Sequence, residues 1–229
     1  MKKMITFCLF GDKKIFQEGA IKNIKLSQEI YPDWILKFYV FKEDFNFSSR
    51  LENYKNVEVE KIDKDGGFYS TIYRFLPLSD PSINYFISRD CDSRISYREK
   101  LAVDEWINSN KCFHIMKDHP FHITPEYPIL AGMFGSKGGI FPDIKNYMKN
   151  ICKNFEDQKG IDQKFLYHLY HDYVKNDYIL HHSENFPTPR DFKKDKIFFV
   201  GQAFDENDNF HANWKVDLEK LGININNYQ

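Results

Sequence analysis

Apolar residues fall along this chain in two alternating patterns: short solid runs and stripes at helical spacing. Met4 to Phe10 is a compact apolar run broken by Gly11-Asp12, the pattern of a buried strand that ends in a loop. From Phe16 to Ile30 the spacing turns helical, with Ala20, Ile21, Ile24 and Leu26 mostly on one side and Pro32 just past the end. Ile35 to Phe41 is again strand-like and aromatic, and Val57 to Ile62 alternates apolar with charged residues. Strand, helix, strand at this spacing predicts an α/β sheet with crossover connections.

The middle of the chain repeats the alternation. Asp63 to Gly67 reads as a loop, Thr71 to Leu76 as an apolar helical turn carrying Arg74, and Pro77 to Ser82 as a break before the run Tyr85-Phe86-Ile87. Ser96 and Glu99 stand at capping-box spacing before a helix predicted to reach Ser109, and Lys111 to Met116 is a further strand candidate. A polar loop rich in Pro and His, Lys117 to Pro125, leads to the glycine-containing stretch Ile129 to Gly139. Helices are expected over Pro142 to Phe155 and Asp162 to Val174, and a short strand from Tyr178 ends at His181-His182. Beyond Pro187 the pattern loosens, then Ile197 to Gly201 is apolar and the tail is rich in Asn. With no internal repeat and no linker-like stretch, the expectation is one domain over residues 1–229 with a less regular C-terminal part.

Composition narrows the class. Aromatic residues make up 17% of the chain, enough for a large core and for a cleft lined by rings that stack on sugars or bases. The net charge is −1 and the pI 6.7, with no basic block, which argues against a nucleic-acid partner. The four cysteines are dispersed and form no C-x-x-C pair; Cys8 and Cys112 sit in apolar runs, so buried thiols and a reducing cytoplasm are expected. The basic and apolar start is too short for a signal peptide and reads as the first strand. No stretch approaches the ~18 apolar residues of a membrane span.

Chemistry concentrates where the run Tyr85-Phe86-Ile87-Ser88 gives way to Arg89-Asp90-Cys91-Asp92-Ser93-Arg94. In extended backbone Asp90 and Asp92 point to one face and Cys91 to the other. Two converging carboxylates form a hard oxygen site for Mg²⁺ or Mn²⁺, ions that commonly also hold substrate phosphates, while aspartates at this spacing are equally common as a plain turn or surface pair. Arg89 and Arg94 beside them suit either orienting the carboxylates or gripping a phosphate, and Arg94 equally suits a surface ion pair. His181 can supply an imidazole to the same ion. His119 and His122 suit hydrogen bonding to a substrate, or simply a polar loop, better than a zinc pair, since no cysteine or third ligand stands nearby. Gly132 and Gly135 allow close approach of backbone to a ligand, without the spacing of a dinucleotide or phosphate-binding loop, or simply bend a strand end. Asp162 is most simply a helix cap, with a second role as a base or hydroxyl acceptor.

Taken as an ordered set these segments resemble nucleotide-sugar-dependent glycosyltransferases of the GT-A type. The likeness is to small bacterial and viral proteins with RDxDSR, HxMxDHPxH, GGMWG-like and DQxFL segments. Here the segments read Arg89 to Arg94, His114 to His122, Ala131 to Gly135 and Asp162 to Leu166. The resemblance implies a GT-A-like (Rossmann-like) mixed sheet flanked by helices and an irregular C-terminal part. It also implies Mn²⁺ or Mg²⁺ held by Asp90, Asp92 and His181, with a donor diphosphate bridged by the ion. Phe10, Gly11 and Asp12 would border the nucleotide base, and Arg74 and Arg89 would help hold the donor. Gly132 to Gly135 and Asp162 would face the sugar and the acceptor, with His119 and His122 nearby. The first glycine of the third segment is Ala131 and its aromatic residue is Phe134. The residue after His181 is His182 where an acid is usual, so either histidine can be the ligand.

The implied activity is transfer of a sugar from a nucleoside-diphosphate-sugar to a hydroxyl of a glycan or lipid-linked glycan, in capsule, lipopolysaccharide or other surface-glycan synthesis. The expected place is the cytoplasm, with peripheral contact at the inner membrane face. If the reaction inverts, Asp162 is the first candidate for the base and Asp118 the second. Two alternatives remain: a sugar-phosphate nucleotidyltransferase, which also uses paired aspartates and metal, and a non-catalytic carbohydrate-binding module that uses the aromatic residues.

Overall fold

A computed structural model describes residues 1–183 and 197–209 of the chain. The looser stretch after Pro187 and most of the Asn-rich tail lie outside the described residues. In chain order the elements are β1 (Lys3–Leu9), α1 (Lys14–Ile30), β2 (Ile35–Phe41), α2 (Phe45–Glu52) and β3 (Val57–Ile62). A 3₁₀ segment, Phe68–Ser79, leads to β4 (Tyr85–Ser88), α3 (Tyr97–Asn108), β5 (Phe113–Lys117) and β6 (Phe134–Lys137). The chain continues with α4 (Ile144–Cys152), α5 (Ile161–Leu169), which runs into a π-helical turn to Val174, and β7 (Tyr178–His182).

The strands form one sheet in the order β3-β2-β1-β4-β6-β5-β7. All run parallel except β6, which is antiparallel to both β4 and β5. The sheet is therefore mixed, as the resemblance implies. The stretch around Gly132 to Gly135 proves to contain a strand, where a bend was an open reading: Ile87 pairs with Gly135 and Gly135 with His114.

Each sheet face carries its own apolar layer. On one face α1 and α3 bring Ala20, Ile21, Ile24, Val103 and Trp106 onto Ile5, Phe7, Leu36, Phe38 and Ile87. On the other, the 3₁₀ segment with α4 and α5 brings Phe75, Leu78, Met148, Phe165 and Leu166 onto Met4, Phe86, Phe113 and Phe134. Phe75 stacks on Phe165 at 5.5 Å and meets Phe134 edge-on at 6.1 Å. Fully burying a side chain of this size contributes about 1.5–3 kcal/mol. This packing fixes the segment that carries Arg74. The predicted cap of α3 forms, with the Ser96 hydroxyl accepting from the Glu99 N–H at 3.2 Å. The Glu99 carboxylate does not close the box; it turns inward to Arg89 and Tyr31.

Candidate functional site

The chain leaves β1 to build β2 and β3 on one side, then returns to build β4 on the other. In open α/β sheets such a switch point opens a crevice at the carboxyl ends of the strands. Phe10 to Asp12 follow β1 there and Arg89 to Ser93 follow β4. Because β6 runs the other way, its first residues and Gly132-Met133 before it reach the same edge.

At the centre stands Arg74. Its Nη1 binds the Asp90 carboxylate and the Arg89 carbonyl, its Nη2 donates to Asp162 Oδ2 at 2.6 Å, and its Nε donates to the Thr71 carbonyl at 3.0 Å. Burial opposes the guanidinium charge, but Asp90 and Asp162 outweigh it and hold the group above its ordinary pKa. One buried cation thus orients two carboxylates 72 residues apart in sequence. Asp162 lies in the first turn of α5, behind the N-cap Gly160, and its Oδ1 accepts from the Gln163 N–H at 2.9 Å. Gly160, not Asp162, is the cap. The Asp90 side chain stays 47% exposed.

Asp90 to Ser93 form a turn, closed by Ser93 N–H to the Asp90 carbonyl at 3.2 Å, rather than a continuation of the strand. Cys91 still points back into the core as the spacing predicts. Burial, and then the charge of Asp90, raise the Asp92 carboxyl to about 6. Two carboxylates that crowd one another gain by sharing a cation. Among the described residues no group of three His, Cys, Asp or Glu side chains can hold an ion. What the turn offers is a carboxylate pair, Asp90 and Asp92. That fits Mg²⁺ or Mn²⁺, which are commonly bound by one or two carboxylates together with water and substrate phosphate.

The other candidate residues divide sharply. Phe10 packs edge-on to Phe41 at 6.4 Å beside the crevice, while Gly11 and Asp12 are exposed and take positive φ. The Asp12 N–H donates to Asp44 at 3.2 Å. Arg89 does not face a donor: it is buried, with Nε on Glu99 at 3.1 Å and Nη1 on the Ser88 carbonyl at 2.8 Å. Arg94 is also turned inward, onto Asp208 at 3.0 Å and the Ser93 carbonyl at 2.9 Å. Asp118 cannot act as a base, because it is fully buried and both oxygens accept from Arg98 at 2.8 Å.

His181 does not join the aspartates. Its strand, β7, lies three strand spacings from β4, about 14 Å. Its Nδ1 meets His114 Nε2 at 2.9 Å and its Nε2 meets Glu105 at 3.3 Å. Gly135 is in the sheet interior, where a Cβ would lie 3.0 Å from the Trp106 ring, and so does not face a ligand. His119 and His122 gather around Phe199, with ring centroids 4.6 and 5.5 Å from it. Cys8, half-buried, has its thiol pushed up to about 12, chiefly by burial, so it is a poor nucleophile.

Sequence reasoning missed Asn23. It lies on the apolar side of α1, fully buried, and its amide donates to the Ser93 carbonyl at 2.8 Å and accepts from the Ile95 N–H at 3.0 Å. A lone amide in an otherwise apolar stripe was its signal. Asp44, buried and bound by Gln17 at 2.7 Å, was missed with the short helix it precedes. A separate cavity of about 200 Å³ lies at the opposite end of the sheet. Its Lys2 and Lys37 are paired with Glu58 and Glu60.

No family model and no curated protein sequence matches the chain. Solved structures do. A glycosyltransferase involved in glycosylation of the major capsid of PBCV-1 superposes with a TM-score of 0.50 at 16% identity, over 80% of this chain and 82% of that one. The 4-diphosphocytidyl-2C-methyl-D-erythritol synthase of Anaerococcus prevotii gives 0.51 at 12%, over 82% and 90%. TarS residues 1–349 of S. aureus give 0.54 at 12%, over 79% and 58%. At these identities the similarity concerns the fold, which is mixed α/β and GT-A-like.

Proposed function

We propose that the chain is a glycosyltransferase that moves a sugar from a nucleoside-diphosphate-sugar to an acceptor hydroxyl with the help of Mn²⁺ or Mg²⁺. The observation that carries this reading is the Arg74 bridge. It sets a half-exposed carboxylate turn at the switch point and ties it to Asp162 on a different element. The PBCV-1 structure, named as a glycosyltransferase, has the same fold.

In this reading Asp90 and Asp92 hold the ion together with the donor diphosphate, and the ion supplies positive charge where the leaving nucleoside diphosphate gathers negative charge. Phe10 to Asp12 border the base. The acceptor is a glycan or lipid-linked glycan, and the product a capsule, lipopolysaccharide or related surface glycan made on the cytoplasmic side. Among the described residues no helix is long and apolar enough to cross a membrane, and the contact proposed with the inner membrane face is peripheral. Asp162 is the base if the reaction inverts: Arg74 and the Gln163 N–H each take one lone pair and leave the rest of the carboxylate to an acceptor hydroxyl. The test is a panel of UDP-, GDP-, CDP- and ADP-sugars assayed for Mn²⁺-dependent hydrolysis. Absence of metal-dependent turnover or binding across the panel sinks the reading.

A nucleotidyltransferase is the second reading, favoured by the fold of the Anaerococcus synthase. The loop after β1 speaks against it. A triphosphate there needs a glycine-rich basic loop, and this one has a single glycine, Gly11, before Asp12, whose N–H is taken by Asp44, with only Lys13-Lys14 following. Release of pyrophosphate from a nucleoside triphosphate and a sugar phosphate would favour it.

A further inference from the structure

We propose that the segment 197–208 is a built-in part of the carboxylate turn, and that Asp118 with Arg98, and Asp208 with Arg94, are positioning residues that set Asp90 and Asp92. The inference rests on reading that turn as the metal and donor site.

The segment touches the turn directly. Ser93 and Ala203 form an antiparallel bridge, and the Phe204 N–H donates to the Asp92 carbonyl at 2.8 Å. The backbone of a proposed metal ligand is thus paired with a part of the chain more than a hundred residues later. Arg94, two residues on, lies over the Phe204 ring at 5.3 Å and reaches Asp208 with Nε at 3.1 Å and Nη2 at 3.0 Å. Its Nη1 donates back to the Cys91 and Ser93 carbonyls at 3.3 and 2.9 Å, so one guanidinium grips both segments that the bridge joins. Lys22 of α1 closes the cluster on Asp208 at 2.7 Å.

The upstream end is held by Asp118. Its Oδ2 accepts from Arg98 Nε at 2.8 Å and from the Val200 N–H at 2.9 Å, and its Oδ1 from Arg98 Nη2 at 2.8 Å. Charge-assisted bonds of this fork geometry are directional as well as strong. Next comes Gly201, at φ +85°, where a Cβ would lie 2.7 Å from Met133 Sδ. Met133 follows Gly132, which abuts Asp90. The segment therefore reaches the turn from two sides, through Asp92 and Arg94 on one and through Met133 and Gly132 on the other. Two buried charged residues within the motif segments, Arg94 and Asp118, thus act through backbone placement and not by touching a substrate.

The test compares hydrogen exchange in the full chain with that in Asp118→Asn and Asp208→Asn, read separately for peptides covering 89–95, 199–208 and β1. Both variants should raise exchange at 199–208 and also, at least fivefold, at 89–95, while β1 stays unchanged. Exchange that rises at 199–208 but not at 89–95 overturns the proposal, as does no change at either. Asp208 is half exposed, so if Asp118→Asn fails to fold the second variant decides alone. Mn²⁺ titration of the same proteins forms a separate arm, with affinity expected to fall at least fivefold in the variants. A wild-type chain that binds no Mn²⁺ counts against the metal reading, while the exchange arm still judges the coupling.

Discussion

Gly132 packs its Cα directly against the Asp90 carboxylate: a Cβ there would lie 2.0 Å from Oδ2 and 2.8 Å from Cγ. The contact is closer than any side chain permits, and what it meets is a functional group held on its other side by Arg74. Gly132→Ala must therefore push Asp90 off Arg74 or lift the 131–133 backbone away. We expect donor binding to fall at least tenfold with the fold retained, measured by titration calorimetry and a thermal melt.

Arg74 serves two carboxylates, so its loss should exceed that of either. Breaking a buried pair by removing one partner costs roughly 3–5 kcal/mol, and here Asp162, only 9% exposed, would be left without its cation. The Asp90 half of the pair is half exposed and contributes less. Arg74→Ala should lower the melting temperature and abolish turnover. Arg74→Lys should recover stability in part but not turnover, since an ammonium cannot hold both acids in a fork.

Asp162→Asn keeps a hydrogen bond acceptor for Arg74 but removes the charge and the proton acceptor. If Asp162 is the base, kcat should drop at least a hundredfold with KM for the donor changed less than threefold. An unchanged kcat in a folded variant would remove it from the mechanism.

Two titrating groups are shifted in opposite directions, Asp92 upward and His114 downward. Asp92, raised to about 6 by burial and by Asp90, takes up a proton as pH falls through 6. Divalent-ion affinity should then fall about tenfold per pH unit below 6. His114 is held well below the usual imidazole range by burial, with His181 and Arg89 adding to it. Unfolded, it would protonate near 6.5, so its contribution to stability is complete above that pH and is lost as pH falls below it. Melting temperature should drop between pH 7 and pH 5, and less steeply in His114→Phe.

Most of the sheet was legible because β1, β2, β4 and β5 fall on apolar runs, β3 alternates and α1 is a clear stripe. What stayed hidden has particular causes. Phe45–Glu52 is short and mixed in polarity, so α2 gave no period to read. β6 has Gly135 at a point where Trp106, His114 and Ile87 leave no room for a Cβ, and glycine in a sequence signals a bend before it signals close packing. The carboxylate turn was legible, but its neighbours were not. Arg89, Arg94, Asp118 and His181 look alike in sequence whether they face a substrate or a partner, and the partners Glu99, Asp208, Arg98 and His114 lie up to 114 residues away.

In the proposed function the Asp90/Asp92 turn would hold a divalent ion together with the donor diphosphate. Calorimetric titration of UDP, GDP, CDP and ADP into the wild-type chain and into Asp92→Ala, with and without Mn²⁺, tests it most directly. At least one of the four should bind the wild-type chain only when Mn²⁺ is present, and Asp92→Ala should lose that binding while staying folded. Binding that ignores the metal, or that survives in Asp92→Ala, would contradict it.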